Sequence, residues 1–204
     1  MKVLTLFSGT HSVSKALEMF PDAEEVTLDA YQPADIQEDV LTWDHTIFAP
    51  QSFDIVWASP CCTHYSRARS KAKTPRNFEL ADAMVIRALQ IIDYLKPKVW
   101  FIENPQTGYL KHRNFMLLRP YFTVDYCMYD GLLRKRTAIW SNINLELHTC
   151  TDKNRCALFI HGRHAIYLQD LEGGPSRGAI PTPLLESIFC QAMMHIEHAC
   201  QKQT

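Results

Sequence analysis

The apolar residues of the chain fall into short runs and longer helical stripes that alternate along the sequence. Four runs rich in β-branched and aromatic residues predict strands at 3–7, 25–30, 53–59 and 99–102. Apolar residues spaced three and four apart predict helices at 13–20, 78–95 and 183–200. Strands and helices that alternate in this way are typical of an α/β fold with parallel strands.

Two further β segments, 121–129 and 137–140, follow each other without an intervening helix. Such a pair predicts an antiparallel edge on a mostly parallel sheet, with helices packed on both faces. The pattern weakens and polar residues dominate at 143–177. Because no internal repeat or linker interrupts the chain, we expect a single domain over 1–204.

The amino-acid composition agrees with the predicted α/β domain and indicates the cellular compartment. Of the 204 residues, 47% are hydrophobic and 21% are charged, as in an ordinary globular protein. The sequence contains no apolar run long enough to cross a membrane. The seven cysteines are an odd number without the spacing of a small disulfide scaffold. We therefore expect a reduced protein in the cytoplasm or the nucleus.

The net charge of −1 gives no overall reason to expect a nucleic-acid partner, but two local clusters do. The first cluster follows the third predicted strand and comprises Arg67, Arg69, Lys71, Lys73 and Arg76. The second cluster lies between the last two β segments and comprises Arg134, Lys135 and Arg136. Either cluster is also compatible with an ordinary solvated face.

The third predicted strand ends at Pro60 and is followed by two cysteines, Cys61 and Cys62. The carboxyl ends of parallel strands form the edge at which open α/β sheets bind ligands. A thiol at that edge, followed by hydroxyl and basic side chains, indicates a nucleophile beside a polyanion. Inert core cysteines are the alternative.

Polar residues mark the ends of the other strands too. The first strand leads through Ser8-Gly9-Thr10 into a helix, which is typical of a nucleotide-binding unit whose glycine lets the backbone approach a ligand. Asp29, at the end of the second strand, suits a ribose diol. Glu103 follows the fourth strand, where a buried carboxylate costs free energy unless it has a partner.

Five short motifs accompany these strand ends. They are Phe7-Ser8-Gly9, Asp39-Val40, the segment 60–66 (PCCTHYS), Glu103-Asn104-Pro105 and Arg134-Lys135-Arg136. In this order they resemble the F-x-G, D-I, P-P-C-x-x-F-S, E-N-V and R-x-R motifs of the cytosine-5 DNA methyltransferase family. The residues around the last motif are similar to a small viral or phage-type branch of that family.

The resemblance implies a Rossmann-like methyltransferase fold and S-adenosylmethionine as the cofactor. The residues that it implies at the cofactor are Phe7, Ser8, Gly9, Thr10, Asp29, Asp39, Val40 and Pro60. It also implies that a cysteine thiolate adds to carbon 6 of cytosine, which makes carbon 5 able to attack the methyl group. Glu103 would bind the N3 and N4 edge of the base, and Arg136 or Arg134 would hold O2.

The register of the cysteine motif identifies Cys62 as the nucleophile. The family's cysteine lies three residues before an aromatic residue, which here is Tyr65, so Cys61 replaces the second proline of the motif. Neighbouring side chains on an extended backbone point to opposite sides. We therefore expect Cys61 to pack inward as a small apolar residue.

A base inside a duplex cannot reach such a pocket, so the resemblance implies that the target cytosine is flipped out of DNA. The loop 63–77 would close over the base and meet phosphates. The residues implied in these contacts are Ser66, Arg67, Arg69, Lys71, Lys73 and Arg76. A short variable segment, 143–180, stands where the family carries a large recognition region. We expect it to read about two to four bases.

The expected assembly is a monomer or weak oligomer, to which a partner protein could supply specificity. Two alternatives to the DNA enzyme stay open: an RNA cytosine-5 methyltransferase on the same scaffold, and a non-catalytic nucleic-acid-binding relative. A binding module would need none of the Cys, Glu and Arg residues that the chain retains.

The family's G-N-S/A-V segment has no clear counterpart near the C-terminus, and the segment 180–189 is the candidate to replace it.

The variable segment contains a possible metal-binding pattern. Cys150, Cys156, His161 and His164 follow a C-x5-C-x4-H-x2-H spacing that could bind zinc and help a small segment hold its shape. The spacing departs from the usual short zinc knuckle. Ordinary thiols and partly exposed histidines are the simpler interpretation, so the sequence assigns no metal ligand.

Overall fold

A computed structural model describes residues 1–129, 134–160, 163–164 and 178–201. Six strands form one sheet, in the spatial order β2-β1-β3-β4-β6-β5. They are β1 (Lys2–Leu6), β2 (Glu24–Leu28), β3 (Ile55–Ala58), β4 (Val99–Pro105), β5 (Tyr121–Asp125) and β6 (Arg136–Ser141). The first four strands run parallel, and β6 runs antiparallel to both β4 and β5. The predicted parallel sheet with an antiparallel edge is confirmed.

Three helices cover both faces of the sheet. They are α1 (Ser12–Leu17), α2 (Phe78–Leu95) and α3 (Thr182–Gln201). The face that carries Leu4 and Val56 packs against α2, and the face that carries Val3 and Trp57 packs against α1 and α3. Because neighbouring residues of a strand point to opposite faces, strands covered on both sides are apolar almost throughout, as β3 is.

The bounds of α2 agree with the prediction, and local chemistry explains them. The side chain of Asn77 accepts a hydrogen bond from the backbone N–H of Leu80, which caps the first turn. Lys96 adopts a left-handed conformation at the other end, directly before Pro97. A residue before proline is restricted from continuing a helix, so the helix stops there.

Two predicted elements are shorter in the structure. The first helix ends at Leu17 instead of continuing to residue 20. The strand predicted over 121–129 ends at Asp125 and passes into a 3-10 turn, Tyr126–Met128. Tyr126 and Cys127 are both buried there, although consecutive strand residues face opposite sides. The turn is therefore what allows both side chains to reach interior partners.

Beyond the six strands, Phe159–Ile160 (β7) and Arg163–His164 (β8) pair as a short antiparallel hairpin. Phe159 lies opposite His164 in this pairing. None of the helices in the described part of the chain combines the length and the apolar character that a membrane crossing requires.

Candidate active site

The turn after β1 forms one wall of a cleft of about 290 Å³ at the carboxyl edge of the sheet. Gly9 has a positive φ of 49°, and its backbone N–H donates to the Asp29 carboxylate over 2.9 Å. A left-handed conformation favours glycine. Five of the predicted cofactor residues line this cleft: Phe7, Ser8, Gly9, Thr10 and Pro60.

The other three predicted cofactor residues have defined roles in the chain itself. The carboxylate of Asp29 also accepts from the backbone N–H groups of Tyr31 and Gln32, so it organises the end of β2 around the Gly9 turn. Asp39 accepts from the N–H of Leu41 and stabilises a turn. Val40 is buried in the core.

The segment before α3 closes the opposite side of this cleft. Gly178 and Ile180 line it, and the Ile180 N–H donates to the hydroxyl of Ser12 over 3.0 Å. Ile180 is the first residue of the segment 180–189, which the sequence analysis named as the candidate to replace the G-N-S/A-V motif. The start of that segment therefore lines this cleft.

The cleft fits a polar cofactor at one point in particular. The Ser8 hydroxyl is buried and has no hydrogen-bond partner among the described residues. A buried polar group without a partner costs roughly 1–3 kcal/mol, which a ligand group could recover. S-adenosylmethionine offers carboxylate, amine and hydroxyl groups, so the residues present are compatible with it.

Cys62 lies where two clefts meet. The turn that carries it is closed by the N–H groups of Tyr65 and Ser66, which both donate to the Cys62 carbonyl oxygen over 3.0 and 2.8 Å. Its side chain lines the cofactor cleft and also a larger cleft of about 660 Å³. Thr63 and Lys135 are likewise shared by both linings. A thiol at this junction can face a cofactor on one side and a substrate on the other.

The two adjacent thiols diverge, but Cys61 does not pack inward. The Cys61 side chain is exposed, and its Sγ donates to the Thr63 hydroxyl over 3.2 Å. The expectation of an inward Cys61 is wrong: the turn after Pro60 leaves this side chain exposed at the smaller cleft, whereas Cys62 is half-buried and lines both clefts.

Glu103 lies beside Cys62 and lines the smaller cleft. It is 6% exposed, accepts a hydrogen bond from the Tyr126 hydroxyl over 3.0 Å, and has the Lys135 ammonium 3.4 Å from the same oxygen. The neighbouring Asn104 amide donates to the Pro60 carbonyl over 3.0 Å, which ties β4 to the cysteine turn. Burial, followed by the charge of Glu103, raises the pKa of the Cys62 thiol to about 11.

Arg134 and Arg136 turn towards a different carboxylate, that of the fully buried Asp125. Arg136 makes two hydrogen bonds to it, of 2.9 and 2.6 Å, and the Arg134 Nε lies 3.5 Å away. Burial is the largest single influence and would raise the pKa of Asp125, but the bonds from Arg136, the bond from the Cys150 N–H and the charges of both arginines together hold that pKa below its usual range. Both arginines still line the larger cleft.

Lys135 is the site residue that the sequence analysis did not assign. It lies between two arginines that face Asp125, and alternation along an extended chain places it on the opposite side, towards Glu103. The alternation of side chains along the R-x-R motif could therefore have identified Lys135 as a site residue from the sequence. Tyr126 was also missed, because the segment around it was predicted to be a regular strand.

Some of the side chains predicted to contact nucleic acid are hydrogen-bonded within the loop 63–77, and others are exposed. Arg76 donates to the carbonyl oxygens of His64 and Ser66, each over 2.8 Å, and so holds the loop in shape. Arg69 donates to the Pro75 carbonyl over 3.0 Å and also to the Thr74 hydroxyl.

The remaining side chains of this group are placed differently. Arg67 and Lys73 are exposed. The Ser66 hydroxyl accepts from the N–H of Ala68 and, with Arg69, lines the larger cleft. The side chain of Lys71 lies outside the described residues.

Comparison with solved structures identifies the class of fold. A "putative DNA modification methyltransferase" encoded within an E. coli prophage matches with a TM-score of 0.50 and 14% identity, covering 69% of this chain and 46% of that one. The methyltransferase EhMeth of Entamoeba histolytica matches with a TM-score of 0.53 and 15% identity, covering 74% and 57%. This chain thus spans about half the length of the solved structures it matches. The fold is that of the methyltransferases.

Sequence comparison identifies the family. No family model matches the chain. The "Probable DNA (cytosine-5)-methyltransferase" of Frog virus 3 is 39% identical over 169 residues, which span 76% of this chain and 78% of the viral protein. The chain belongs to the DNA (cytosine-5)-methyltransferase family, and the resemblance drawn from the motifs is confirmed.

Proposed function

We propose that this protein transfers a methyl group from S-adenosylmethionine to carbon 5 of cytosine in DNA, through a covalent bond between Cys62 and carbon 6. The observation that carries the proposal is the position of Cys62 at the junction of two clefts, beside Glu103 and Lys135. The relative from Frog virus 3 carries the name of this activity.

The chain's residues divide the work between the two clefts. Ser8, Gly9 and Asp29 would hold the cofactor, which when bound supplies an electrophilic methyl group. The larger cleft would receive a cytosine flipped out of the duplex. Arg134 and Arg136 line that cleft, and Arg134 is the more exposed of the two, with 39% of its side chain accessible, so it is the one we assign to the ring oxygen O2.

Cys62 would attack as a thiolate, forming the S–C6 bond while the electron pair of the C5–C6 double bond moves into the ring. Carbon 5 would then take the methyl group, whose bond to the cofactor sulfur breaks and leaves its electron pair on that sulfur. Water would accept the hydrogen of carbon 5 as a proton, and the electrons left behind would re-form the C5–C6 double bond and expel the thiolate. Glu103, facing N3 and N4, would share a proton with N3, so that the ring is protonated while it carries the added electrons. Lys135 lies 3.4 Å from Glu103 and its charge acts to lower the pKa of Cys62, so we assign it to stabilising the thiolate.

The resting thiol is held neutral, and substrate binding would change that. The charge of Glu103 is the second cause of the raised pKa of Cys62, and Lys135 opposes it. When the amino group of a cytosine donates to Glu103, its negative charge is shared with the base, so its effect on the thiol weakens. The nucleophile would thus become reactive when its substrate is in place.

Exposed cations on the loop 63–77 suit the phosphates of a duplex. Arg67 and Lys73 would make these contacts, and Lys71 is a further candidate, while Ser66, Arg69 and Arg76 shape the loop.

We propose one catalytic domain over 1–204, with 143–180 as a small recognition segment. The protein would act as a monomer or weak oligomer and draw added specificity from a partner protein. All seven cysteines are free, which suits a reduced compartment of the cell.

The experiment is expression in a host without cytosine-5 methylation, followed by bisulfite sequencing of plasmid and tRNA. We expect 5-methylcytosine in the plasmid at a site defined by about two to four bases, and none with Cys62→Ser. Cys61→Ser is the matched control and should methylate like the wild type. Methylated tRNA with unmodified plasmid would favour an RNA enzyme, and no modification of either, from folded protein, would favour a non-catalytic binding protein.

A further inference from the structure

A cluster of four side chains lies outside the two clefts of the proposed active site. The Sγ atoms of Cys127, Cys150 and Cys156 and a ring nitrogen of His164 lie within 4.8 Å of one another. None of these residues is more than 9% exposed. Three of them come from the pattern noted in the sequence, and Cys127 joins from the turn after β5. His161, the fourth residue of that pattern, lies outside the described residues.

The distances within the cluster match a tetrahedral metal site. The Nε2 atom of His164 lies 3.6 Å from the Sγ of Cys127 and 3.4 Å from the Sγ of Cys150. A zinc ion bound at about 2.3 Å by sulfur and about 2.0–2.1 Å by nitrogen separates these two ligand atoms by about 3.6 Å in a tetrahedron. His164 therefore already stands at the separation from Cys127 and Cys150 that a shared ion would impose, and Cys156 completes a set of ligand atoms within 4.8 Å of one another.

Hydrogen bonding alone does not account for this convergence. Both sulfur atoms approach the same ring nitrogen, which either accepts through one lone pair or donates through one hydrogen, so it cannot make a full hydrogen bond to each of them. In addition, the backbone N–H of Cys156 donates to the Sγ of Cys150 over 3.4 Å. A backbone N–H aimed at sulfur is also the kind of outer contact that orients a sulfur bound to a metal.

Charge around the cluster favours a metal–thiolate group. Three thiolates and one Zn²⁺ carry a net charge of −1, and Arg134 and Arg136 donate to the Cys150 carbonyl oxygen over 3.3 and 3.4 Å. Two guanidinium groups beside the cluster thus offset the excess negative charge. The same arginines would be poorly placed beside an additional cation without thiolates.

The local fold also needs support of this kind. The cluster joins the turn after β5, the bent chain at 150–156 and the hairpin of β7 and β8. An isolated two-stranded hairpin is marginal in water, and the apolar contacts around the three thiols amount to a small satellite core. Metal binding supplies free energy to such a segment that burial alone would not.

We propose that Cys127, Cys150, Cys156 and His164 bind one Zn²⁺ as a structural Cys3His site. Four protein ligands leave no position open for water or substrate, so the ion has a structural role. The site stands directly behind the target cleft. Cys150 donates its N–H to Asp125 over 2.8 Å, and Cys127 follows Tyr126, which contacts Glu103. The ion would thereby fix the residues that position Arg134, Arg136 and Glu103.

The test is metal analysis of the full chain, expressed without a histidine tag and purified under reducing conditions. We expect about one zinc per chain, released when the thiols are titrated with a mercurial, and replaced by cobalt with an absorption spectrum typical of a tetrahedral thiolate site. Cys156→Ser and His164→Ala should lose the metal. His164→Cys restores a fourth ligand and should retain it.

Cys190→Ser is the matched control, because Cys190 is an exposed thiol of α3 and should leave the zinc content unchanged. If a ligand variant fails to fold, cobalt binding by the wild type still decides the question. Folded, reduced wild-type protein without stoichiometric metal, or without tetrahedral cobalt absorption, would overturn the proposal. So would a native disulfide among these three cysteines, detected by mass.

Discussion

The two walls of the target cleft are built by different physical means. One wall carries Cys62, at the end of the parallel half of the sheet, β1 to β4, and the neighbouring Glu103 lines the smaller cleft. In this half, large side chains such as Trp57 and Phe101 are fully buried between the sheet and its helices. The opposite wall belongs to the edge region, defined here as the described residues between 125 and 164. Its interior holds buried cysteines and the ion pairs of Asp125. The chemistry therefore rests on apolar packing, and the shape of the substrate cleft rests on polar contacts.

This difference indicates which changes separate activity from folding. In the parallel half, a reactive side chain can be replaced while the strands beneath it keep their packing. In the edge region, the same residues that shape the cleft also hold the chain together, so a substitution there should affect both. The predictions that follow test this contrast.

The largest effect is expected at Glu103. Glu103→Gln keeps the shape of the side chain but removes the charge that faces N3 and N4 of the base, so we expect kcat to fall by about 10²–10⁴-fold. Single-turnover methyl transfer measures this directly. Because the buried Lys135 ammonium loses its charged partner, the thermal transition should fall as well. A variant with wild-type kcat would show that Glu103 has no part in the chemistry.

The largest effect on stability is expected at Asp125. Asp125→Asn leaves Arg136 without its charged partner and weakens the bond from the Cys150 N–H, so unfolding should become easier by about 3–5 kcal/mol. Urea denaturation gives the value. Asp152→Asn is the control, because its ion pair with Arg155 is exposed and should contribute little. Equal effects of the two substitutions would contradict the proposed importance of the Asp125 ion pairs.

The pH dependence of Cys62 gives an intermediate effect. Its pKa of about 11 means that about one thiol in a thousand is ionised at pH 8, so alkylation of Cys62 in the ligand-free protein should be slow and should accelerate up to about pH 11. Folding adds no stability through this thiol below its usual pKa of 9.0, and stability falls between there and about 11 as only the unfolded thiol ionises.

Peptide-resolved mass spectrometry distinguishes Cys62 from the exposed Cys61. Glu103→Gln removes one cause of the raised pKa and should speed the alkylation of Cys62 at pH 8. An unchanged rate in this variant would mean that burial alone sets the reactivity of the thiol.

The smallest effect is expected on the loop 63–77. Removing two exposed cations, as in Arg67→Ala with Lys73→Ala, should weaken DNA binding and lower the salt dependence of affinity by about two phosphate contacts. Arg76→Ala should instead loosen the loop, because its guanidinium group braces two carbonyl oxygens. Binding isotherms over a range of salt concentration distinguish the two. An identical change in slope would show that Arg76 also meets phosphate.

The sequence predicted the parallel half of the sheet well, because periodicity reports local burial. The helix over Phe78–Leu95 and the four parallel strands each bury a face that recurs at a fixed spacing. Motif order then placed Cys62 and Glu103 at the same edge, since parallel strands end together.

The edge region was harder to predict, because its structure depends on contacts between residues distant in the chain. The turn at Tyr126–Met128 brings Tyr126 to Glu103 and Cys127 to Cys150. Neither contact can be predicted from the residues near the turn in the sequence. For the same reason the sequence pointed to His161 where the structure points to Cys127. The pairing of Arg136 with Asp125 likewise joins two strands, so the motif alone indicated a substrate contact.

The central claim is that Cys62 bonds covalently to the target cytosine, and trapping on DNA that contains 5-fluorocytosine tests it most directly. Fluorine at carbon 5 cannot leave as a proton would, so the thiol adduct should persist. With S-adenosylmethionine present, the wild type and Cys61→Ser should form a denaturant-resistant complex with the DNA, and Cys62→Ser should form none. An adduct that survives in Cys62→Ser but is lost in Cys61→Ser, or no adduct with any of the three proteins, would contradict the account.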